Sequence, residues 1–508
     1  MSAIKKLAGQ TAIYGLSSIV GRLLNYLLVP LYTRIFAQAE YGVVSELYSY
    51  SSFLLILFTY GMETAFFNFM QKEEDKEKVY NTSLSAVLYT SFFLSGVMIL
   101  FSGTFADWIK YPQHPEYVTW LALIIAFDAI AAIPFARLRQ LNKAKRFAAL
   151  KLVNIFLNIG FNIFFLILCP KFLKGDAGFF TRIANSFYSP TIGLGYVFIS
   201  NVLASGITLL MLFPQFKNIN YKPDIKLLKE MLWYAFPLLI AGFAGMINET
   251  FDRAVYKYLA PNPKTALAEL GVYSACYKLS IIMTLFIQTF RYAAEPFFFS
   301  QQKNEDKKRV YANVMKYFVI TCSLIFVSVM LYIDIIKIFI GEEFRSGLAV
   351  VPILLMANLC LGVFYNLSMW YKLTGQTRYG AYFSIAGGVA TIILLFVLIP
   401  KFGYMGAAWA TLITYALMMI LSYITGQKNY PIPYDVGGSL LYVALALLIY
   451  LAAAGLEKVF SLDGILLGVV NTILLLVFAA IVYSLNKNSF KKPPVPVETK
   501  NTFRKNED

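Results

Sequence analysis

A chain of 508 residues in which 58% are hydrophobic and only 14% charged, with a mean hydropathy of +0.62, is too apolar for a soluble globular fold; such a fold carries about 25% charged residues. The net charge of +16, from 44 Lys and Arg against 28 Asp and Glu, raises nucleic acid as a partner, and its distribution along the chain argues against it. Apolar stretches of about 20 residues, long enough to cross a hydrocarbon core of about 30 Å, recur over the whole length.

In chain order, this pattern predicts transmembrane helices near 10–30, 41–62, 80–103, 117–136, 148–169, 191–212 and 231–252, then near 269–291, 310–332, 350–371, 379–399, 404–426, 438–456 and 464–485. The expected fold is therefore an all-α integral membrane protein of about fourteen transmembrane helices. The first stretch follows a short, weakly basic start (Lys5, Lys6), contains Arg22 and lacks a small-residue cleavage site, so it reads as a retained helix. Tyr41, Trp108, Trp120, Trp233 and Trp370 lie at segment ends, which suits anchoring at a membrane interface. With the N-terminus inside, inner segments hold 27 Lys and Arg and outer loops 12. That excess is what the positive-inside rule demands, so the basicity is topological and both termini are expected to be cytoplasmic. The longest outer connection, 170–190, is too short for a folded domain. The tail from 486 is basic, contains proline and is expected to be disordered.

The two halves look related. Residues 41–48 read YGVVSELY and 270–277 read LGVYSACY, which pairs Gly42 with Gly271. Residues 169–172 (CPKF) and 399–402 (IPKF) follow apolar stretches at nearly the same offset. Each precedes a glycine-containing helix, with Gly193 and Gly195 set against Gly403 and Gly406. This reads as two parallel six-helix repeats, an N-lobe over 1–218 and a C-lobe over 219–430, followed by two further helices over 431–485 and the basic tail over 486–508. A repeat pair of this kind places a cavity between lobes near the membrane midplane.

The signatures of soluble enzymes are missing. With one histidine, His114 in an outer loop, the chain has no HExxH, no histidine-based triad and no multi-histidine metal site. It has no P-loop and no Asp-x-Asp pair. Cys169, Cys276, Cys322 and Cys360 lie in or beside apolar stretches without metal-ligand spacing and read as packing residues. No catalytic residue, metal or cofactor is expected.

What remains are ionisable residues inside apolar segments, where they are costly and usually functional. Arg22 falls about midway along the first helix, Glu46 on the second, Asp128 late on the fourth and Lys278 centrally on the eighth. Glu249, Asp252 and Arg253 cluster near the outer end of the seventh, and Arg291 and Glu295 lie at the inner end of the eighth. Glu249 with Arg253, and Arg291 with Glu295, could equally be helix-surface ion pairs, while Arg34 and Glu63 lie close enough to an interface to snorkel. A cation deep in hydrocarbon costs about 3 kcal/mol or more, so Arg22 and Lys278 should face a wet cavity or an acid. Cations in such a cavity suit an anionic headgroup. Glu46, Asp128, Glu249, Asp252 and Arg253 are the candidates for ion coupling, by H⁺ or Na⁺, or for gating.

Four segments carry a family resemblance. They are PLYTRIFAQAEYGVVSELYSY (30–50), RLRQLNKAKRFAALKLVNIFLN (137–158), FDRAVYKYLA with ELGVYSACYKLS (251–260 and 269–280), and TGQTRYGAYFSIAGGVATIILLFVLIPKFGYMGAAWATLITY (374–415). In their order along the chain they resemble the polysaccharide-export branch of the MOP exporter superfamily, the Wzx-type flippases. The resemblance implies a V-shaped pair of six-helix lobes in the bacterial inner membrane. It implies export of undecaprenyl-pyrophosphate-linked units of O-antigen, capsule or exopolysaccharide by alternating access, beside the polymerase and chain-length regulator of the same pathway. Basic cavity residues would be the substrate contacts, which fits Arg22, Lys278 and Arg291. The loop 261–268 (PNPKTALA) is long for the family and puts the role of Asp252 in doubt. The competing expectations are a lipid II flippase, a twelve-helix MATE-type exporter and, from another class, a membrane polysaccharide polymerase.

Overall fold

The computed structural model describes residues 19–174, 178, 181–182, 186–217, 219–460 and 463–490, and no strand occurs among them. Lys5 and Lys6, the opening of the first span, part of the 170–190 connection and the tail beyond residue 490 lie outside the described residues.

The first span is helical from Ile19, turns at Leu27 and continues as α1 (Leu28–Ile35). α2 (Gln38–Thr59) starts where the Glu40 carboxylate accepts the Ala37 backbone N–H at 2.9 Å. It breaks at Tyr60 and Gly61 before α3 (Met62–Lys72) completes the span. α4 (Lys76–Leu100) is capped by Asp75, whose carboxylate accepts the Lys78 N–H at 3.0 Å. The short α5 (Ser102–Trp108) leads to α6 (Pro115–Gln140), opened by a proline whose missing N–H no helix needs there. α7 (Ala144–Ile163) passes through a π-helical turn, Phe164–Leu168, into Cys169–Leu173. Pro170 has no N–H to offer the Leu166 carbonyl, so the regular ladder cannot close at this point.

α8 (Gly195–Met211) precedes α9 (Ile225–Leu259), which is capped by Asp224 through the Leu227 N–H at 2.8 Å. α10 (Ala266–Leu279) and α11 (Ile281–Ser300) form one span bent by 48°. After them come α12 (Lys307–Leu331), α13 (Val350–Leu367) with its continuation α14 (Met369–Leu373), and α15 (Arg378–Asn429). α15 is two spans joined at Gly403, where φ is +55°. α16 (Val436–Phe460) and α17 (Gly464–Phe490) end the described chain. Among the described residues ten helices are long and apolar enough to cross a membrane, eleven with the bent pair and twelve with α15 counted as two. α8 is a shorter apolar helix, and the protein is an all-α integral membrane protein of about fourteen helices.

Contacts divide the chain into two compact units, Met1–Lys307 with Ile335–Ile432, and Lys308–Asp334 with Pro433–Asp508. In the first, α2 packs on α10, α4 on α6, α7 on α8, and α15 on both α9 and α13. In the second, Asn471 on α17 donates to the Leu331 carbonyl at 2.6 Å and Asn486 donates to the Tyr442 hydroxyl at 2.8 Å.

Two glycines that the sequence sets against each other share an unusual backbone conformation. Gly193 (φ +50°, ψ −120°) and Gly403 (φ +55°, ψ −138°) adopt nearly the same conformation, one open to glycine alone, each ahead of the helix that follows. The anchoring expectation needs correcting for two aromatics. Trp108 and Trp233 are exposed as anchors should be, but Tyr41 and Trp370 are buried. Tyr41 sets its ring edge-on against Phe344 at 5.6 Å, and Trp370 lies in a cluster with Tyr371, Phe383 and Tyr415. Position at a segment end does not say whether that end faces lipid or a neighbouring helix.

Candidate functional site

The first unit contains a cavity of about 540 Å³ whose lining draws on the first span, α2, α6, α7, α8, α9 and α10. Arg22, Arg253 and Lys278 all reach it, and among the described residues Asp128 is the one carboxylate on its lining. Among the described residues Arg22 makes no ion pair, and its side chain is exposed to the cavity. Lys278 likewise has no carboxylate within ion-pair distance and lies 5.3 Å from the centre of the Tyr26 ring.

The Arg253 guanidinium is held flat against Tyr277, 4.1 Å from the ring centre, and donates to the Glu249 carbonyl at 3.3 Å. Its Nε sits 3.7 Å from the Asp252 carboxylate, too far for a hydrogen bond, and is a buried donor without an acceptor. Asp252 accepts instead from the Tyr273 hydroxyl at 2.6 Å and from the Arg253 backbone N–H at 2.9 Å. Arg253 thus keeps Asp252 as its counter-charge, while Arg22 and Lys278 are without an ion pair among the described residues.

A second chamber of about 610 Å³ shares Asp128, Asn154 and Ser205 with the first and extends to Glu63, Arg139 and Lys151. Asp128 stands at the junction, where Ser205 Oγ donates to it at 2.8 Å. Glu63, expected to snorkel, pairs with Arg139 across helices.

Several expected positions lie elsewhere. Arg291 is absent from the lining of both chambers. It stacks on Tyr365, 3.9 Å from the ring centre, beside Glu295, and Glu295 pairs with Lys372 at 2.8 Å rather than with Arg291. Glu249 is exposed and outside the cavity lining. Glu46 is fully buried and pairs with Lys257 at 3.0 Å, while the Tyr111 hydroxyl donates to it at 2.5 Å and Tyr50 donates as well. Lys257 also donates to the Ile109 carbonyl at 2.6 Å, so this ion pair ties α9 to α2 and to the loop before α6. His114 is exposed and bonds Glu116 at 2.8 Å, and the cysteines are free thiols.

Around the Glu46 pair, one end of the first unit is drawn together. Gly341 N–H donates to Thr33 Oγ1 at 3.0 Å, Gln38 to the Glu343 carbonyl at 2.5 Å and Arg34 to the Ile338 carbonyl at 2.6 Å. α2 and α10 cross there at Gly42 and Gly271.

Sequence reasoning missed Lys151, Lys257, Tyr111 and the amides Asn154, Asn158 and Asn201. One signal for the amides was available. Asn154, Asn158 and Asn162 recur every fourth residue in an apolar stretch, which puts three costly polar groups on one helix face. Lys257 gave no such signal, because its acid lies on a helix distant in sequence.

The sequence of residues 7–302 matches the model of a family described as polysaccharide biosynthesis protein. No curated protein matches the chain. Among solved structures, a lipid II flippase MurJ in an inward closed conformation superposes with a TM-score of 0.70 at 14% identity, over 92% of this chain and 98% of that one. A multidrug-resistance MATE transporter of the MOP superfamily, in an inward-facing conformation, gives 0.60 at 13% identity, over 84% and 98%. A MOP superfamily transporter from Pyrococcus furiosus, whose binding pocket is described as reversed in polarity, gives 0.52 at 14%, over 84% and 95%. At these identities the likeness concerns the fold. The match over more than half of its length settles the family: this multi-pass membrane protein belongs to the polysaccharide biosynthesis proteins and has the fold of the MOP exporter superfamily.

Proposed function

We propose that the protein is a flippase of the bacterial inner membrane, carrying undecaprenyl-diphosphate-linked oligosaccharide from the cytoplasmic to the outer leaflet. The observation that carries this reading is the meeting of Arg22, Arg253 and Lys278 in one cavity with a single lining carboxylate among the described residues. Two cations without a counter-charge, Arg22 and Lys278, are costly inside a membrane bundle unless an anion completes the site. Arg22, a guanidinium exposed to the cavity and without an ion pair among the described residues, suits a diphosphate, whose oxygens accept paired N–H bonds. The lipid tail would stay in the bilayer while the headgroup occupies the cavity.

In this reading the N-lobe, 1–218, and the C-lobe, 219–430, rock against each other, and a cation coupled through Asp128 drives the cycle. The positive-inside distribution supports cytoplasmic termini, which would set the Gly42–Gly271 crossing on the outer side. That end is the drawn-together one, so the described state would be inward-facing. A polymerase and a chain-length regulator of the same glycan pathway are the expected partners outside the chain.

The test is the sidedness of lipid-linked glycan in cells depleted of the protein. Accumulation on the cytoplasmic leaflet, relieved by the wild-type chain and not by an Arg22→Ala, Lys278→Ala variant made at equal abundance, is the expected result. Normal sidedness with altered drug resistance would move the protein to small-molecule export. Accumulation of peptidoglycan precursor instead would make it a lipid II flippase, the reading favoured by the superposition on MurJ.

A further inference from the structure

The cations reach the cavity from the first span, α9 and α10; the first span also contributes the amide Asn25, whereas α7 and α8 contribute amides and no cation. Asn154 and Asn158 on α7 and Asn201 on α8 line it, together with Tyr48. In a membrane helix an asparagine is often explained by bonding to a neighbouring helix. Asn162 fits that explanation, being fully buried, accepting from Tyr32 at 2.9 Å and donating to the Asn158 carbonyl at 2.8 Å.

The cavity-lining amides keep capacity to spare. Asn154 spends one N–H on Thr208 at 3.0 Å, and Asn201 spends one on Tyr48 at 3.3 Å. Asn158 only accepts, from Asn162 at 3.2 Å, and its Nδ2 has no acceptor among the described residues. An amide presents a donor and an acceptor side by side, which matches adjacent sugar hydroxyls and carries no charge that would compete with the phosphate side.

Resting on the functional reading above, we propose that Asn154, Asn158 and Asn201 form the sugar-recognising side of the cavity and set specificity for the glycan, while Arg22, Arg253 and Lys278 hold the diphosphate. A site built to bond hydroxyls discriminates against a ligand that lacks them, because its own polar groups are then left unpaired.

The experiment measures binding of two probes to the purified chain in lipid nanodiscs. The first is sugar-free undecaprenyl diphosphate, and the second is lipid-linked glycan extracted from cells depleted of the protein. Wild type should bind the glycan-bearing lipid more tightly. Asn158→Ser should weaken that binding about fivefold to tenfold, the loss of one or two hydrogen bonds, and leave the sugar-free lipid within about twofold. Asn162 keeps the residue-158 carbonyl in this variant, and Asn201→Ser provides an independent substitution on another helix. Arg22→Ala should weaken both lipids alike. Equal binding of the two lipids by wild type, or equal losses for both lipids in both amide variants, would overturn the amide assignment and leave the diphosphate reading standing. Failure of wild type to bind either lipid would overturn the functional reading itself, and the amide assignment with it.

Discussion

Gly42 on α2 and Gly271 on α10 meet backbone to backbone. A Cβ on Gly42 would lie 1.9 Å from the Leu267 carbonyl oxygen, and a Cβ on Gly271 would lie 2.0 Å from that of Gln38. These are the two residues that the YGVVSELY and LGVYSACY motifs align. Small residues permit such close helix crossings in membranes, where packing rather than burial from water drives association.

Alanine at either position must push the crossing apart, because backbone and not a flexible side chain stands in the way. Gly42→Ala and Gly271→Ala should each cost about 1–3 kcal/mol, as overpacking does. Gly96→Ala on α4, where nothing lies within 4 Å of the added carbon, serves as the control. Thermal unfolding of the detergent-solubilised variants measures the difference, and a loss no larger than the control's would contradict the geometry.

The Glu46–Lys257 pair should behave as a coupled buried ion pair. Glu46 is fully buried and the Lys257 side chain is 7% exposed. Glu46→Gln or Lys257→Met alone leaves the other charge stranded and should cost about 3–5 kcal/mol. The double variant should cost clearly less than the sum of the two. A double-mutant cycle on unfolding free energies reads this coupling directly, and additive losses would mean that the two charges do not stabilise each other.

Arg22 and Arg291 should separate in a transport assay, although both are arginines in apolar surroundings. Arg22→Ala removes an unpaired cation from the cavity and is expected to reduce glycan export at least tenfold. Arg291→Ala removes a cation stacked on Tyr365 outside both chambers, a contact worth about 0.5–1 kcal/mol when exposed. It should leave export within about threefold of wild type. Export rates at matched abundance decide between the two, and equal losses would remove the distinction.

Asp224 gives the α9 cap a pH dependence. The Leu227 backbone N–H and then the Lys78 ammonium, 2.8 Å away, hold its carboxyl below the usual carboxylate range. A carboxyl depressed in the folded state contributes stability above its unfolded value, about pH 4, and loses it as the pH falls through the lower folded value. Asp224→Asn preserves the cap but cannot titrate. Its stability should therefore fall less steeply than that of wild type below about pH 4, as read by thermal unfolding across that range. Parallel curves would show that the cap charge plays no part.

The sequence alone determined what one dimension can encode. The apolar stretches gave fourteen spans because crossing hydrocarbon requires an uninterrupted run of about 20 residues. The motif offset aligned Gly42 with Gly271, and the glycine-containing helices after CPKF and IPKF, with Gly193 and Gly403, matched in type. The cost of burying charge picked out Arg22 and Lys278. Which charges face each other was decided only in three dimensions. That Glu46 meets Lys257 and Tyr111 could be seen only once their helices were brought together. Arg291 looked equivalent to Arg22 until its ring partner and its place outside both chambers were seen. Tyr41 and Trp370 looked like interfacial anchors and are buried against other helices. Helical periodicity tells which residues share a face, but the environment of that face depends on helices brought together from distant parts of the chain, and a local pattern carries no record of them.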